Sequence, residues 1–92
     1  MTHPRRLLLD ASDIVGLFLT ATFNDDFLLL ADSELSGLCG REGADNAAAA
    51  MAALAELTLL TWAEASGIPP RELLDRVRRR IDDDPPPALA RV

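Results

Sequence analysis

The feature that most constrains this chain is the segment 46–66, NAAAAMAALAELTLLTWAEAS, which contains neither glycine nor proline. Alanine and leucine dominate it and are strong helix formers, so it predicts one long helix. Asp45 or Asn46 would cap its start, and Gly67 would end it. A helix this apolar all round has to be covered on most sides, by its own chain or by a partner.

The residues before this segment predict further helices. Asp10 or Ser12 can cap a helix start, which leaves residues 1–9 as an N-terminal arm. The polar stretch FNDDF then interrupts the apolar pattern. The pattern allows two helices, at about 11–23 and 26–38, or one longer helix with a polar interruption.

Glycine and proline mark the remaining boundaries. Three glycines in GLCGREG, at positions 37, 40 and 43, predict a stop before the long helix. Pro70 suits the first turn of a last helix, because backbone N–H groups in a first turn form no hydrogen bond within the helix and the absence of one costs nothing. Residues 85–92, PPPALARV, predict a disordered tail.

These segments together predict an all-α fold. We expect a compact bundle of three to four helices, with the helix at about 46–66 in the centre. The helices would form a single domain over residues 1–84, since ninety-two residues are enough for only one.

Composition narrows the classes of function. The net charge of −6 argues against a generic binder of nucleic acid or of anionic membranes. The single cysteine, Cys39, excludes an internal disulfide and fits a reducing compartment. Asp10 and Asp13 interrupt the N-terminal apolar run, which argues against a signal peptide. We therefore expect an acidic cytoplasmic protein that binds no membrane, and the lack of lysine beside abundant arginine suggests a GC-rich bacterial genome.

The segment 63–80 has a loose similarity to helix-turn-helix regulators. Small and apolar residues stand where that motif needs them, at Ala63, Gly67, Ile68, Leu73 and Val77. The resemblance implies a DNA-binding alternative in which Arg71 and Arg76 enter the groove. Carboxylates at Glu72 and Asp75 would repel phosphate there, so the expectation is no specific nucleic-acid binding.

The pair Asp32-Ser33 in an acidic helical chain resembles the attachment site of acyl carrier proteins. That resemblance implies a serine carrying phosphopantetheine, as a minor alternative. Glu34 stands where the carrier motif has leucine, so the triplet is not matched and no cofactor is expected.

Catalytic chemistry has few candidates. The only histidine, His3, and the only cysteine cannot build a zinc site within the chain, and no acidic run has calcium-loop spacing. The chain has no second histidine and no lysine that could activate the Cys39 thiol, so the role of this cysteine stays open. We expect a protein that is not an enzyme and has no metal or catalytic residues.

The remaining class is protein–protein association, because the chain holds more apolar surface than a small monomer easily hides. The expected function is a small self-assembling or adaptor module, most simply a homodimer, whose partner is itself or another protein. Small residues on the long helix let two backbones approach closely, with leucines at the flanks. The candidate interface is Ala49, Ala52, Ala53, Leu59, Leu60 and Ala63.

Overall fold

A computed structural model describes residues 3–83 of the chain. Within this range the protein is all-α, with no strand, which confirms the fold class. The helices are α1 (Pro4–Ala21), α2 (Leu28–Glu42), α3 (Ala44–Ser66) and α4 (Pro70–Asp83), and a 3-10 turn, Asp25–Phe27, precedes α2. The tail predicted over 85–92 lies outside the described residues.

The first helix begins at Pro4, not near Asp10, so the predictions of an Asp10 or Ser12 cap and of a separate arm over residues 4–9 were wrong. Proline suits a first helical turn, and Leu7 packs against the core of the bundle, so tertiary contact holds this turn in place. Asp10 lies inside α1, where its carboxylate is 3.4 Å from the Arg6 guanidinium.

Residues 11–38 form two separate helices, one of the two alternatives that the sequence allowed. The polar stretch supplies the boundary, because the Asn24 side chain accepts a hydrogen bond of 3.1 Å from the backbone N–H of Asp26. This bond satisfies a donor at the start of the 3-10 turn and favours a chain reversal there.

The glycine-rich stretch was predicted as a stop, and this prediction was wrong for two of its three glycines. Gly37 and Gly40 lie inside α2, which continues to Glu42. Only Gly43 ends the helix, with φ at 89°, where a side chain would be strained. Between those glycines Leu38 is fully buried, and its packing offsets their poor helix propensity.

This contrast predicts opposite effects of alanine at two neighbouring glycines. A Cβ at Gly40 meets nothing within 4 Å, so Gly40→Ala should raise the free energy of unfolding by about 0.5–1 kcal/mol. Gly43→Ala should lower it by about 1 kcal/mol, because alanine resists positive φ. Urea denaturation followed by circular dichroism would measure both. Equal effects of the two changes would contradict the assigned helix end.

The long helix α3 follows Gly43 directly and begins at Ala44, two residues earlier than predicted. No side chain caps it, and Asn46 instead donates a hydrogen bond of 2.8 Å to the carbonyl of Glu42. The predicted end is confirmed, since Gly67 has φ at 71° and its N–H donates to the Ala63 carbonyl.

The core lies where α1, α2 and the N-terminal half of α3 meet. Ile14, Leu38 and Ala47 form its buried cluster, one residue from each helix. Half-buried side chains surround the cluster, namely Leu7, Phe18, Leu35, Cys39 and Met51. α4 stands apart from this core, because within residues 3–83 it contacts α3 and no other helix.

Candidate interaction surface

The long helix is much less covered than its composition predicted. Only Ala47 and Ala50 of α3 are buried, and both lie in its N-terminal half against the bundle. Met51 and Leu54 continue this inner face but are half-buried. The bundle therefore covers one side of one half of the helix, and most of its other apolar residues reach solvent.

Four exposed apolar residues of α3 form a row, and the exposed Glu56 borders it one turn before Leu60. Ala49, Ala53, Leu57 and Leu60 are spaced four, four and three residues apart, which places them on one side of a helix. Leu57 and Leu60 remain 49% and 43% exposed, although leucine side chains favour burial. We call this row, with Asn46 at one end and Glu64 at the other, the α3 outer face.

The structure divides the interface residues that the sequence suggested into two groups. Ala49, Ala53 and Leu60 lie on the outer face, and Ala52 is exposed beside it. Leu59 and Ala63 are half-buried, so they are less available to a partner than expected. Leu57 was not among the predicted interface residues, although it lies four residues after Ala53 and so on the same side of a helix.

The apolar residues of the last helix become more exposed toward its C-terminal end. Leu73 is fully buried, whereas Val77 is 38% exposed and Ile81 is 54% exposed. Contact with α3 thus weakens along α4 toward its C-terminal end. Arg71 is exposed, and the guanidinium of Arg76 lies 3.9 Å from the Glu72 carboxylate on the preceding turn. Both arginines suggested for DNA thus stand on a solvated face mixed with acids.

The candidates for chemistry are dispersed. A depression with a volume of about 160 Å³ lies between α1 and α2. Acidic residues and Arg41 line it, but His, Cys, Asp and Glu side chains of residues 3–83 form no cluster of three able to hold a metal ion. Asp32 is half-buried and Ser33 is exposed, both in the first half of α2.

Cys39 packs against the core cluster as a half-buried side chain. We expect an alkylating reagent to label it slowly in the folded protein and quickly in urea, because the reagent needs access to the sulfur. Mass spectrometry over time would measure both rates. Equally fast labelling of the folded protein would show an accessible thiol and reopen a reactive role.

Length and composition alone would also allow α3 to cross a membrane. One such helix is weak evidence for a membrane span, because core helices of soluble proteins pass the same test, although only 11% of this apolar window is buried in the bundle. Glu56 lies near the middle of α3, where a charged side chain in hydrocarbon would be costly.

Compared with known proteins, the chain matches no family model, no curated protein and no solved structure.

Proposed function

We propose that this chain is a small non-enzymatic interaction module that forms a homodimer through the α3 outer face. The observation that supports the proposal is the exposed row of Ala49, Ala53, Leu57 and Leu60 on the longest helix. Contiguous exposed apolar residues on a soluble protein commonly mark an interface.

A second copy fits this face for a geometric reason. From Asn46 to Glu64 the face extends about 27 Å along a straight helix, which is long enough for a helix-to-helix seam. A two-fold dimer uses the same patch on both subunits, so a single apolar row serves as both halves of the contact. The small side chains at Ala49 and Ala53 allow the two helix axes to approach closely.

Sedimentation velocity over a wide range of protein concentration tests the proposal. We expect a species of twice the 9.9 kDa chain mass that dissociates on dilution. A monomer at every concentration would refute homodimerisation. Flotation with anionic and neutral vesicles serves as the comparison, and vesicle binding by a monomer would identify a membrane surface as the occupant of the face instead.

No structural observation favours the DNA-binding or carrier alternatives, so neither is proposed here. The Arg76 guanidinium lies 3.9 Å from the Glu72 carboxylate on a face mixed with acids, and Asp32-Ser33 lies within a helix and not at the start of one.

A further inference from the structure

The α3 outer face changes in size and polarity along its length. Its N-terminal part has the small side chains of Ala49 and Ala53, and its C-terminal part has the large side chains of Leu57 and Leu60. The polar ends differ too, since Asn46 is neutral and Glu64 carries a negative charge. When two copies of this face meet, the side chains of one copy have to fit those of the other along this gradient of size and polarity.

Parallel and antiparallel pairs of α3 differ in how well they fit this gradient of side-chain size. In a parallel pair each residue meets its own copy, so alanines meet alanines and leucines meet leucines. The helix axes would then have to diverge, and the two Glu64 carboxylates would approach each other and repel. In an antiparallel pair Ala49 meets Leu60 of the partner copy, and Ala53 meets its Leu57. Small side chains then pack against large ones at an even axial separation, and Glu56 of each copy lies at the border of the seam.

The ends of the face also match in the antiparallel pair. Asn46 lies opposite Glu64 of the partner copy, where an amide can donate a hydrogen bond to a carboxylate. Asn46 already donates one N–H to the Glu42 carbonyl, and its amide nitrogen carries a second.

Charge provides an independent argument for the same orientation. Residues 70–83 have five arginines and four carboxylates, a net charge of +1, whereas residues 3–66 have three arginines and ten carboxylates, a net charge of −7. Among the described residues, no ion pair joins Arg78, Arg79 or Arg80 to a carboxylate. These arginines therefore have donors available for an acidic partner surface.

The position of α4 places the positive charge at one end of α3 and the negative charge at the other. α4 begins three residues after Gly67, at the C-terminal end of α3, and contacts α3 alone among helices α1 to α4, whereas the acidic bundle packs on the N-terminal half of α3. An antiparallel dimer brings α4 of each copy toward the acidic bundle of the other. A parallel dimer would place the two arginine-rich helices side by side and the two acidic bundles side by side.

We propose that two copies of the chain pair their α3 outer faces antiparallel, so that the arginine-rich α4 of each lies beside the acidic bundle of the other. This inference rests on the proposed homodimer and adds its orientation and its ionic component. Opposite charges across the seam also disfavour the parallel alternative, which gives the pairing its specificity.

Disulfide trapping measures the orientation directly. The background is Cys39→Ser, first shown by sedimentation to dimerise like the unmodified chain. Ala49→Cys and Leu60→Cys are made separately in this background, one with a cleavable tag that shifts its size, and are mixed and allowed to exchange subunits before mild oxidation. We expect the mixed disulfide between position 49 of one copy and position 60 of the other, with little of either self-disulfide. Ala48→Cys, on another side of α3, is the matched control and should remain uncrosslinked.

The trapping result separates the two proposals. A protein that sediments as a monomer refutes the homodimer itself. A dimer that forms efficient 49–49 and 60–60 disulfides refutes only the antiparallel orientation. A dimer that forms none of these disulfides places the contact on another face and overturns both the face and the orientation.

Ionic strength provides a second readout. Raising sodium chloride from about 0.05 to 0.5 M shortens the screening length to a few ångströms, so the antiparallel dimer should dissociate more readily, by about 3- to 10-fold in Kd. Stronger association at high salt would contradict the inference, because it would mean that like charges face each other across the seam.

Discussion

Leu60→Glu should convert the dimer into a folded monomer. The Leu60 side chain is 43% exposed in the single chain and would be buried in the α3 seam. Because a two-fold dimer uses the same residue on both subunits, the substitution removes two leucine contacts from the interface. Each leucine forfeits about 1 kcal/mol of apolar burial, and each buried carboxylate costs more through desolvation. We expect Kd to rise by at least about 100-fold, measured by sedimentation, with the helical circular dichroism retained.

Leu29→Glu is the matched control for this substitution. Leu29 lies in the first turn of α2, is 81% exposed and stands outside the α3 outer face. The same chemical change there should leave Kd within about 2-fold of the unmodified protein, since surface substitutions away from contacts have small effects. If both variants dissociate the dimer equally, net charge and not the α3 face controls association.

Leu38→Ala should cause a large loss of stability. Leu38 is fully buried in the cluster with Ile14 and Ala47, one residue from each of the three packed helices. Truncating a buried leucine removes transfer free energy and leaves a cavity, at a cost of about 2–5 kcal/mol. That is a large part of the total stability of a small domain, so a measurable unfolded fraction is expected in buffer.

Urea denaturation at fixed protein concentration would measure this loss, because dimerisation makes apparent stability depend on concentration. Leu29→Ala, which truncates an exposed leucine, should change the free energy of unfolding by less than about 0.5 kcal/mol. Equal losses at Leu38 and Leu29 would show that the cluster is not the core of the protein.

Local residue chemistry was enough to predict several features of this protein. The all-α class follows from the alanine- and leucine-rich segments, and the end of α3 follows from Gly67, whose left-handed backbone suits a residue without a side chain. The start of α4 follows from Pro70, which limits the backbone to angles that a first helical turn accepts. These features depend on a few neighbouring residues, and those residues are visible in the sequence.

The sequence misled where packing outweighs local preference. Gly37 and Gly40 favour a helix stop, yet α2 passes through both because Leu38 between them is buried in the core. The start of α1 at Pro4 was missed for a similar reason, since the Leu7 contact with the core lies far along the chain from its partners.

The candidate interface shows most clearly what the sequence predicted and what only the tertiary structure decided. Composition established that the long helix carries more apolar surface than one face needs, because alanine and leucine occupy all its sides. Only the tertiary structure decided which side remains uncovered. It leaves Leu57 and Leu60 exposed and half-buries Leu59 and Ala63, and a residue's exposure depends on neighbouring helices whose positions local spacing does not encode.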